Sequence, residues 1–295
     1  MAPQSLDDLL EKFENYLKSR DRSAHSIRAY LGDVRLFAAW FETHAGEPFT
    51  PEAVTDYDLR DWRDELSKVK NRKPATINRK LAGLSAFFGW AVEQGLAKSD
   101  PTYHVQGLAQ QQTAPKAIPE DDLKRIFRAA RRSNNLRDQA LLQLLAATGL
   151  RASEAAALLR GDLEMSGYSG WVTVRFGKGK KQRRVPVNAK ARTALNEYLD
   201  SRGTVANDEP LFLADHGGPM SAYAIWYTVK KYAALAGVKK VSPHSFRHTV
   251  ATRLVRDPEV DIVTAATFLG HSRIDTTARY ARPNEKDLEN AAERL

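Results

Sequence analysis

Six side chains in the second half of the chain have the types and spacing to act on a phosphate ester: Arg151, Lys178, His244, Arg247, His271 and Tyr280. Two guanidiniums can bracket the equatorial oxygens of a phosphate and stabilise the charge that grows there in a pentavalent transition state. A tyrosine offers a phenol nucleophile that forms a covalent phosphoester. A lysine can protonate a leaving alkoxide, and histidines can move protons and hydrogen-bond the phosphate. Such chemistry needs no metal and no cofactor, and Asp/Glu clusters of the two-metal type are not evident in residues 242–280.

That segment carries the densest part of the set. Ser242 as N-cap and Pro243 at the first helical position predict a helix running through Val250 and Leu254. Phe246, Val250 and Leu254 define its inward face; Arg247 falls inside that arc, with His244 roughly 60° away on its flank. A buried cation near a positive helix end opposes the macrodipole and must be desolvated, costs that a bound anion, phosphate above all, would offset. A salt bridge to an acidic side chain would answer as well. Farther on, Gly270 suits the residue after a helix end, and Ser272 with Asp275 predicts a capping box. The helix it opens carries Tyr280 two turns in, ahead of Pro283. His271 sits in the joint. A lone tyrosine on a helix usually packs, and a lone histidine beside a cap usually bonds locally. Beside the Arg/His pair, they form a density of titratable groups that packing does not require.

Upstream, helices are predicted over 120–131 and over 136–147, the second ending at Thr148-Gly149. Arg151 then opens a helix through Leu159, where it either bridges to Glu154 or acts as a second phosphate clamp oriented by Glu154. Val172, Val174 and Phe176 alternate as one face of a strand, and residues 184–187 can return antiparallel. The Gly177-Lys178-Gly179-Lys180-Lys181 turn between them would carry Lys178 on a short arm. The spacing is not that of a nucleotide-binding loop, and a lysine at such a turn is most often an ordinary surface residue. Helices over 189–199 and 222–236 lead back to Ser242.

The chain has 295 residues, 42% of them hydrophobic, with net charge +9 and no cysteine. That length suits one large or two ordinary domains, and the absence of cysteine excludes disulfides and thiolate metal sites. Residues 1–115 hold 15 Lys/Arg against 16 Asp/Glu, whereas residues 116–295 hold 30 against 20, so the second part is the strongly basic one. A polyanionic partner is favoured. No apolar span reaches membrane length and residues 1–8 lack a signal peptide's pattern, so a soluble cytoplasmic protein is expected.

The first hundred residues read as four amphipathic helices. Ser5 with Asp8 caps the first, Ser23 or Ser26 opens the second, the third follows Thr55, and the fourth covers 75–94 and stops at Gly95. Lys68, Lys70, Arg72, Lys73, Arg79 and Lys80 form a basic run without an acid. Such runs are usually solvated, yet basic residues at a helix N-terminus oppose the dipole unless they face an anion. Arg28 could extend a phosphate-contacting surface there. Residues 106–119, polar and interrupted by two prolines, read as a linker between a domain over 1–105 and one over 120–295.

Four strings, Thr148-Gly-Leu-Arg151-Ala-Ser-Glu154, Gly177-Lys178-Gly179, His244-Ser-Phe-Arg247-His248 and Leu269-Gly-His271 with Tyr280 nine residues on, resemble in order and spacing the signature of the tyrosine recombinase (phage integrase) family. Size and layout are similar to the bacterial Xer-type members, although Ala281-Arg282-Pro283 departs from their usual continuation. The resemblance implies a mainly α protein: an N-terminal four-helix SAM-like core-binding domain plus an α+β catalytic domain with a small antiparallel sheet, closing as a clamp on duplex DNA. It implies that Tyr280 attacks a scissile phosphate to give a 3′-phosphotyrosyl link, and that the freed 5′-hydroxyl attacks a partner duplex through a Holliday junction, without metal, cofactor or ATP. Arg151 and Arg247 would then bind the phosphate and Lys178 would be the general acid. His244 and His271 would position and move protons, and Glu154 would support Arg151. The basic run, Arg28, Lys180 and Lys181 would contact DNA. A last helix after Pro283 would dock on a neighbour in a homo-tetramer, or a hetero-tetramer with a paralogous recombinase, acting at the nucleoid. Three other readings stay open at this point. A type IB topoisomerase would share the nucleophile, and a catalytically silent DNA-binding regulator would share the surface. A zinc hydrolase using His244 and His248 is weakened because no Glu follows His244 and Arg247 would adjoin the metal.

Overall fold

The structure is a computed structural model that describes residues 5–109, 117–175, 182–271, 273–281, 289 and 292–293. It divides into two compact units, Met1–Gln112 and Thr113–Leu295.

The first unit contains α1 (Leu6–Ser19), α2 (Ala24–Ala45), α3 (Asp56–Asp64) and α4 (Pro74–Glu93). Local chemistry sets their starts. Ser5 and Ser23 accept the Asp8 and Ser26 amides, Thr55 and Asp58 form a reciprocal capping box, and Pro74 occupies the first turn of α4. The apolar stripes meet in an aromatic core. Phe13 and Phe87 stand edge to face at 5.3 Å, as do Phe37 and Trp62, an arrangement that adds about 1 kcal/mol per pair beyond the area buried. A π turn, Glu65–Val69, continues α3. Arg63 donates to the Gln106 carbonyl, and Asn78 bonds both the amide and the carbonyl of Leu108. The start of the expected linker is therefore fixed to the first unit, because two helix side chains supply its main-chain partners. At the other end, the Ile118 amide is bound by Thr249 of the second unit.

The basic run of the first unit meets acids from outside itself. Lys68 pairs with Asp64 and Lys70 with Glu65, while Arg79 and Lys80 converge on Asp33 of α2, which is 2% exposed. Arg79 and Lys80 thereby tie α4 to α2 and are partly withdrawn from the surface expected for them. Among the described residues, Arg28, Arg72 and Lys73 are exposed and make no ion pair.

The second unit comprises α5 (Glu120–Arg132), α6 (Leu136–Thr148), α7 (Ala152–Ala156), β1 (Leu163–Met165), β2 (Gly170–Val174), β3 (Arg183–Pro186), α8 (Ala189–Arg202), α9 (Ala222–Leu235), α10 (Pro243–Arg256), α11 (Ile262–Leu269) and α12 (Asp275–Ala278). The strands form one antiparallel sheet in the order β1-β2-β3, with Val172 opposite Leu163 on one side and Val185 on the other. These three side chains are buried in the main core with Leu141, Leu145, Leu195 and Tyr232. A mainly α chain with a small antiparallel sheet was expected, and so was the β2–β3 pair; β1 was not.

Two helices are shorter than the sequence predicts. α7 stops at Ala156 instead of Leu159, because Leu159 gives its amide to Asp162 and bridges to Pro210, drawing the chain toward β1. α12 is a single turn, so Tyr280 lies just beyond it and not two turns inside a helix; its amide closes the turn on the Thr277 carbonyl. Lys178, Lys180, Lys181, the Ser272 cap and most of the expected last helix lie outside the described residues. Among the described residues no helix is long and apolar enough to cross a membrane.

Asp33→Ala would leave two cations at a buried position without their carboxylate. We expect a loss of about 3 kcal/mol in urea unfolding of the first unit, against less than about 1 kcal/mol for Lys68→Ala at an exposed pair.

Candidate active site

The sequence places Arg247 on the inward face of α10, and there it is only 2% exposed. Among the described residues no carboxylate receives it. Its guanidinium donates to the Gly149 carbonyl at 2.9 Å and to the Leu269 carbonyl at 2.6 Å. Both acceptors lie at helix C-termini: Gly149 follows α6 and Leu269 ends α11. Carbonyls there have no partner within their own helix and carry the negative end of its dipole. Of the two expected ways to offset the burial, the salt bridge is absent among the described residues, and main-chain dipoles do that work while leaving a whole positive charge in the site. Burial, then the Arg151 charge, lowers its pKa to about 10, so it remains a cation at neutral pH.

Two glycines make this cradle possible. Gly149 has φ +62°, and a Cβ on it would stand 3.1 Å from the Val250 Cβ. Gly270, with φ +65°, lies where a Cβ would meet Arg183 atoms at 2.7 to 2.9 Å. Each supplies the left-handed turn that ends its helix and leaves room for a neighbour from another element.

Arg151 caps α7 at its N-terminus and remains about one-third exposed, its side chain paired with Glu154 at 2.7 Å. Glu154, buried, also accepts the Arg151 amide at 2.9 Å and two hydrogen bonds from Arg183 of β3, at 2.9 and 3.1 Å. Burial alone would raise its pKa; the hydrogen bonds from Arg183 and from the Arg151 backbone prevail and bring it to about 2. The carboxylate thus orients Arg151 as expected. Arg183 is the site residue that sequence reading missed. Its position at the start of a strand gives no periodic signal, and its partner is 29 residues earlier in the chain.

The histidines and the tyrosine gather beside these arginines. His271 follows Gly270 and bonds through Nδ1 to the buried Thr277 hydroxyl at 2.7 Å, its ring parallel to that of Tyr280 at 6.5 Å. Tyr280 is 6% exposed and packs in a small cluster with Val250, Ala251 and Leu269. Its hydroxyl lies 2.6 Å from Nδ1 of His248, a contact the sequence analysis did not anticipate. The His248 ring in turn meets that of His244 edge to face at 4.2 Å. Burial and the surrounding arginines lower all three imidazoles, His248 and His271 to about 4 and His244 in the same direction. Burial raises the Tyr280 phenol, against an opposing pull from Arg247, Arg279 and Arg151. At neutral pH the site therefore presents neutral imidazoles and a neutral phenol around fixed guanidinium charge. Five of the six expected residues are brought together; Lys178 lies outside the described residues.

His248 and His271 are neutral in the fold but would take up protons in the unfolded chain below pH 6.5, so acidification favours unfolding. Stability of the second unit should fall as pH drops from 6.5 to 4, by on the order of 2 kcal/mol for the pair after allowing for solvent. Calorimetry of the full chain across this range tests it: the acid-side drop should flatten in the His248→Gln/His271→Gln double variant, while the loss tied to Glu154 persists between pH 4.5 and about 2.

Known proteins resemble the chain over nearly its whole length. The phage integrase family matches residues 116–287, and the N-terminal SAM-like domain of phage integrases matches residues 10–95. The tyrosine recombinase XerD of Chlorobaculum tepidum is 32% identical, covering 92% of this chain and 90% of the relative, and XerC of Thermodesulfovibrio yellowstonii is 31% identical over 95% and 93%. Among solved structures, XerH recombinase bound to a palindromic difH substrate superposes with a TM-score of 0.78 at 21% identity, covering 98% of this chain and 84% of that one. The Tn1549 transposon integrase with circular intermediate DNA gives 0.73 at 20% identity, over 97% and 99%. At such identities the superpositions establish the fold. The family is established by the matches in sequence, and the chain is a member of the phage integrase family, a tyrosine recombinase of the bacterial Xer-like type.

Proposed function

We propose that this enzyme is a site-specific recombinase that cuts and rejoins duplex DNA through a 3′-phosphotyrosyl intermediate and a Holliday junction. Tyr280 acts as the nucleophile, Arg151 and Arg247 grip the scissile phosphate, and Lys178 protonates the departing 5′-oxygen. His244 and His271 hydrogen-bond and position the phosphate. The observation that carries this reading is the uncompensated charge of Arg247, buried on two carbonyls in the neighbourhood of a tyrosine hydroxyl. Arg151, Arg183 and Arg247 bring three positive charges against the single carboxylate of Glu154, which pairs with the first two alone, leaving an excess of two positive charges. A phosphodiester brings one negative charge and its pentavalent transition state two, so the excess favours the transition state over the bound substrate.

In the first step the Tyr280 Oη–P bond forms as the P–O5′ bond breaks. The second step reverses this with the 5′-hydroxyl of a partner strand. One phosphoester replaces another at each stage, so bond energy is conserved and no nucleotide hydrolysis is needed. The steps as written use no metal. The first unit and the second would close on the duplex as a clamp, with Arg28, Arg72 and Lys73 as backbone contacts beside Lys180 and Lys181. Four protomers on two sites, joined through the last helix, would complete the exchange at the nucleoid; a paralogous recombinase could supply two of the four.

A duplex ligand can be selected from a randomised library by binding to the Tyr280→Phe protein. With this duplex nicked near the cleavage point, wild-type protein should form a covalent complex stable to denaturant. Tyr280→Phe should form none, and Arg247→Lys should bind while cleaving about 10² to 10³-fold more slowly. A covalent complex in Tyr280→Phe refutes the assignment, and relaxation of supercoiled DNA by a monomer without site preference favours topoisomerase chemistry instead.

Binding of the same duplex should weaken with salt. Arg72→Ala/Lys73→Ala should reduce the slope of log K against log salt by about 1 to 2, while stability is unchanged. An unaltered slope removes these two residues from the DNA surface.

A further inference from the structure

We propose that His248 is the proton acceptor for the Tyr280 hydroxyl during strand cleavage. The inference rests on the reading of Tyr280 as the nucleophile and assigns the group that activates it.

The geometry separates the three imidazoles. Nδ1 of His271 is engaged by the Thr277 hydroxyl at 2.7 Å, and that ring lies parallel to the tyrosine with centroids 6.5 Å apart. His244 is exposed, one turn before His248, and its described ring contact is with His248. Only Nδ1 of His248 lies within hydrogen-bond distance of the phenol among the described residues, at 2.6 Å. With the imidazole in its Nε2–H tautomer, Nδ1 accepts and the phenol donates. The rings are tilted by 48° with centroids 5.5 Å apart, so the contact is made through the polar atoms and not by stacking. A packing role for this half-buried side chain would not require a nitrogen at that point.

The surroundings keep the acceptor unprotonated. Among the described residues, His248 is faced by His244 and Arg247 on α10 and by Arg279 and Tyr280 after α12, with no carboxylate among the groups that act on it. Burial and these charges hold its pKa near 4, which makes it available but weak as a base in the free protein. A phosphodiester gripped by the arginines brings negative charge to the same neighbourhood and offsets part of what depresses the imidazole. Base strength therefore rises when the scissile phosphate is in place, and the nucleophile stays protonated otherwise.

The step balances. The Tyr280 O–H bond breaks and its proton passes to His248 Nδ1, giving an imidazolium, while the Oη–P bond forms. The P–O5′ bond breaks and the departing oxygen takes a proton from the acid on its own side. On rejoining, the incoming 5′-hydroxyl gives its proton back to the group that acted as acid as the P–O5′ bond forms and the Oη–P bond breaks, and the imidazolium returns its proton to the phenolate.

The test uses the full chain and the selected duplex, with the scissile 5′-oxygen replaced by sulfur so that the leaving group needs no protonation and the rate reports the nucleophile alone. His248→Asn places its side-chain amide oxygen near the Nδ1 position, where it accepts the same hydrogen bond from the phenol but is too weakly basic to take its proton. Its duplex binding should equal wild type. Its cleavage should be about 10²-fold slower at pH 7 and should climb about tenfold per pH unit over a range where the wild-type rate is level. Cleavage by His248→Asn at the wild-type rate and with the wild-type pH profile overturns the proposal. Joint loss of duplex binding and cleavage in His248→Asn and His248→Gln also overturns it, by marking a structural role. If wild-type protein itself forms no covalent complex, the recombinase reading of Tyr280 fails first, an outcome distinct from either.

Discussion

The second unit depends on a buried cation, Arg247, that has no anion of its own among the described residues. Taking the Arg247 guanidinium out of water costs several kcal/mol, and the fold meets that cost with the C-terminal carbonyls of α6 and α11 in place of a carboxylate. On the proposed reading the difference is functional. A carboxylate would neutralise the charge and occupy the donors that a phosphate needs, whereas two carbonyls fix the side chain and leave its charge unspent. The positions of three helices follow from that choice, since α6 and α11 must end at the point where α10 presents Arg247, and glycine must stand just after each ending helix.

Arg151 is handled in the opposite way. It sits at the surface of the site, one-third exposed, with a carboxylate that it shares with Arg183. Sharing matters because one acid between two guanidiniums orients both without neutralising both. Glu154 also accepts the Arg151 amide and so starts α7, which makes the same carboxylate a helix cap, an orienting group and a link from α7 to the sheet. Its low pKa reflects that demand: hydrogen bonds from Arg183 and from the Arg151 backbone, with the charges of both arginines, overcome a burial that would otherwise favour the protonated acid.

Much of this was legible in the sequence because it is local. Ser5, Ser23 and Thr55 cap the helices they were expected to open, Gly149 and Gly270 end theirs, and the inward arc of α10 contains Arg247. What escaped is long-range or too short to be periodic. β1 has three residues and offers no alternation, and it is a strand only because β2 lies beside it. The basic run looked free of acids because its partners Asp33, Asp64 and Glu65 lie outside it. His248 stood within a recognised string and one helical turn from His244, which was the available clue. Its link to Tyr280 crosses 32 residues and exists only once α12 has turned back.

That return also explains how Tyr280, just beyond a one-turn helix, is held in place. Thr277, fully buried, ties α12 to His271 at the end of α11, and the Tyr280 amide closes on the Thr277 carbonyl. The tyrosine ring then packs on Val250 and Ala251 of α10 and on Leu269 of α11. These are the elements that present Arg247 and one of its two carbonyls. The phenol and the buried cation therefore share a mount, and their relative position is set by α10 packing on α11. An enzyme that must attack one phosphate in line gains from this arrangement. For the attack proposed above, the alignment of these two groups decides the rate, and elements of one packed core hold it.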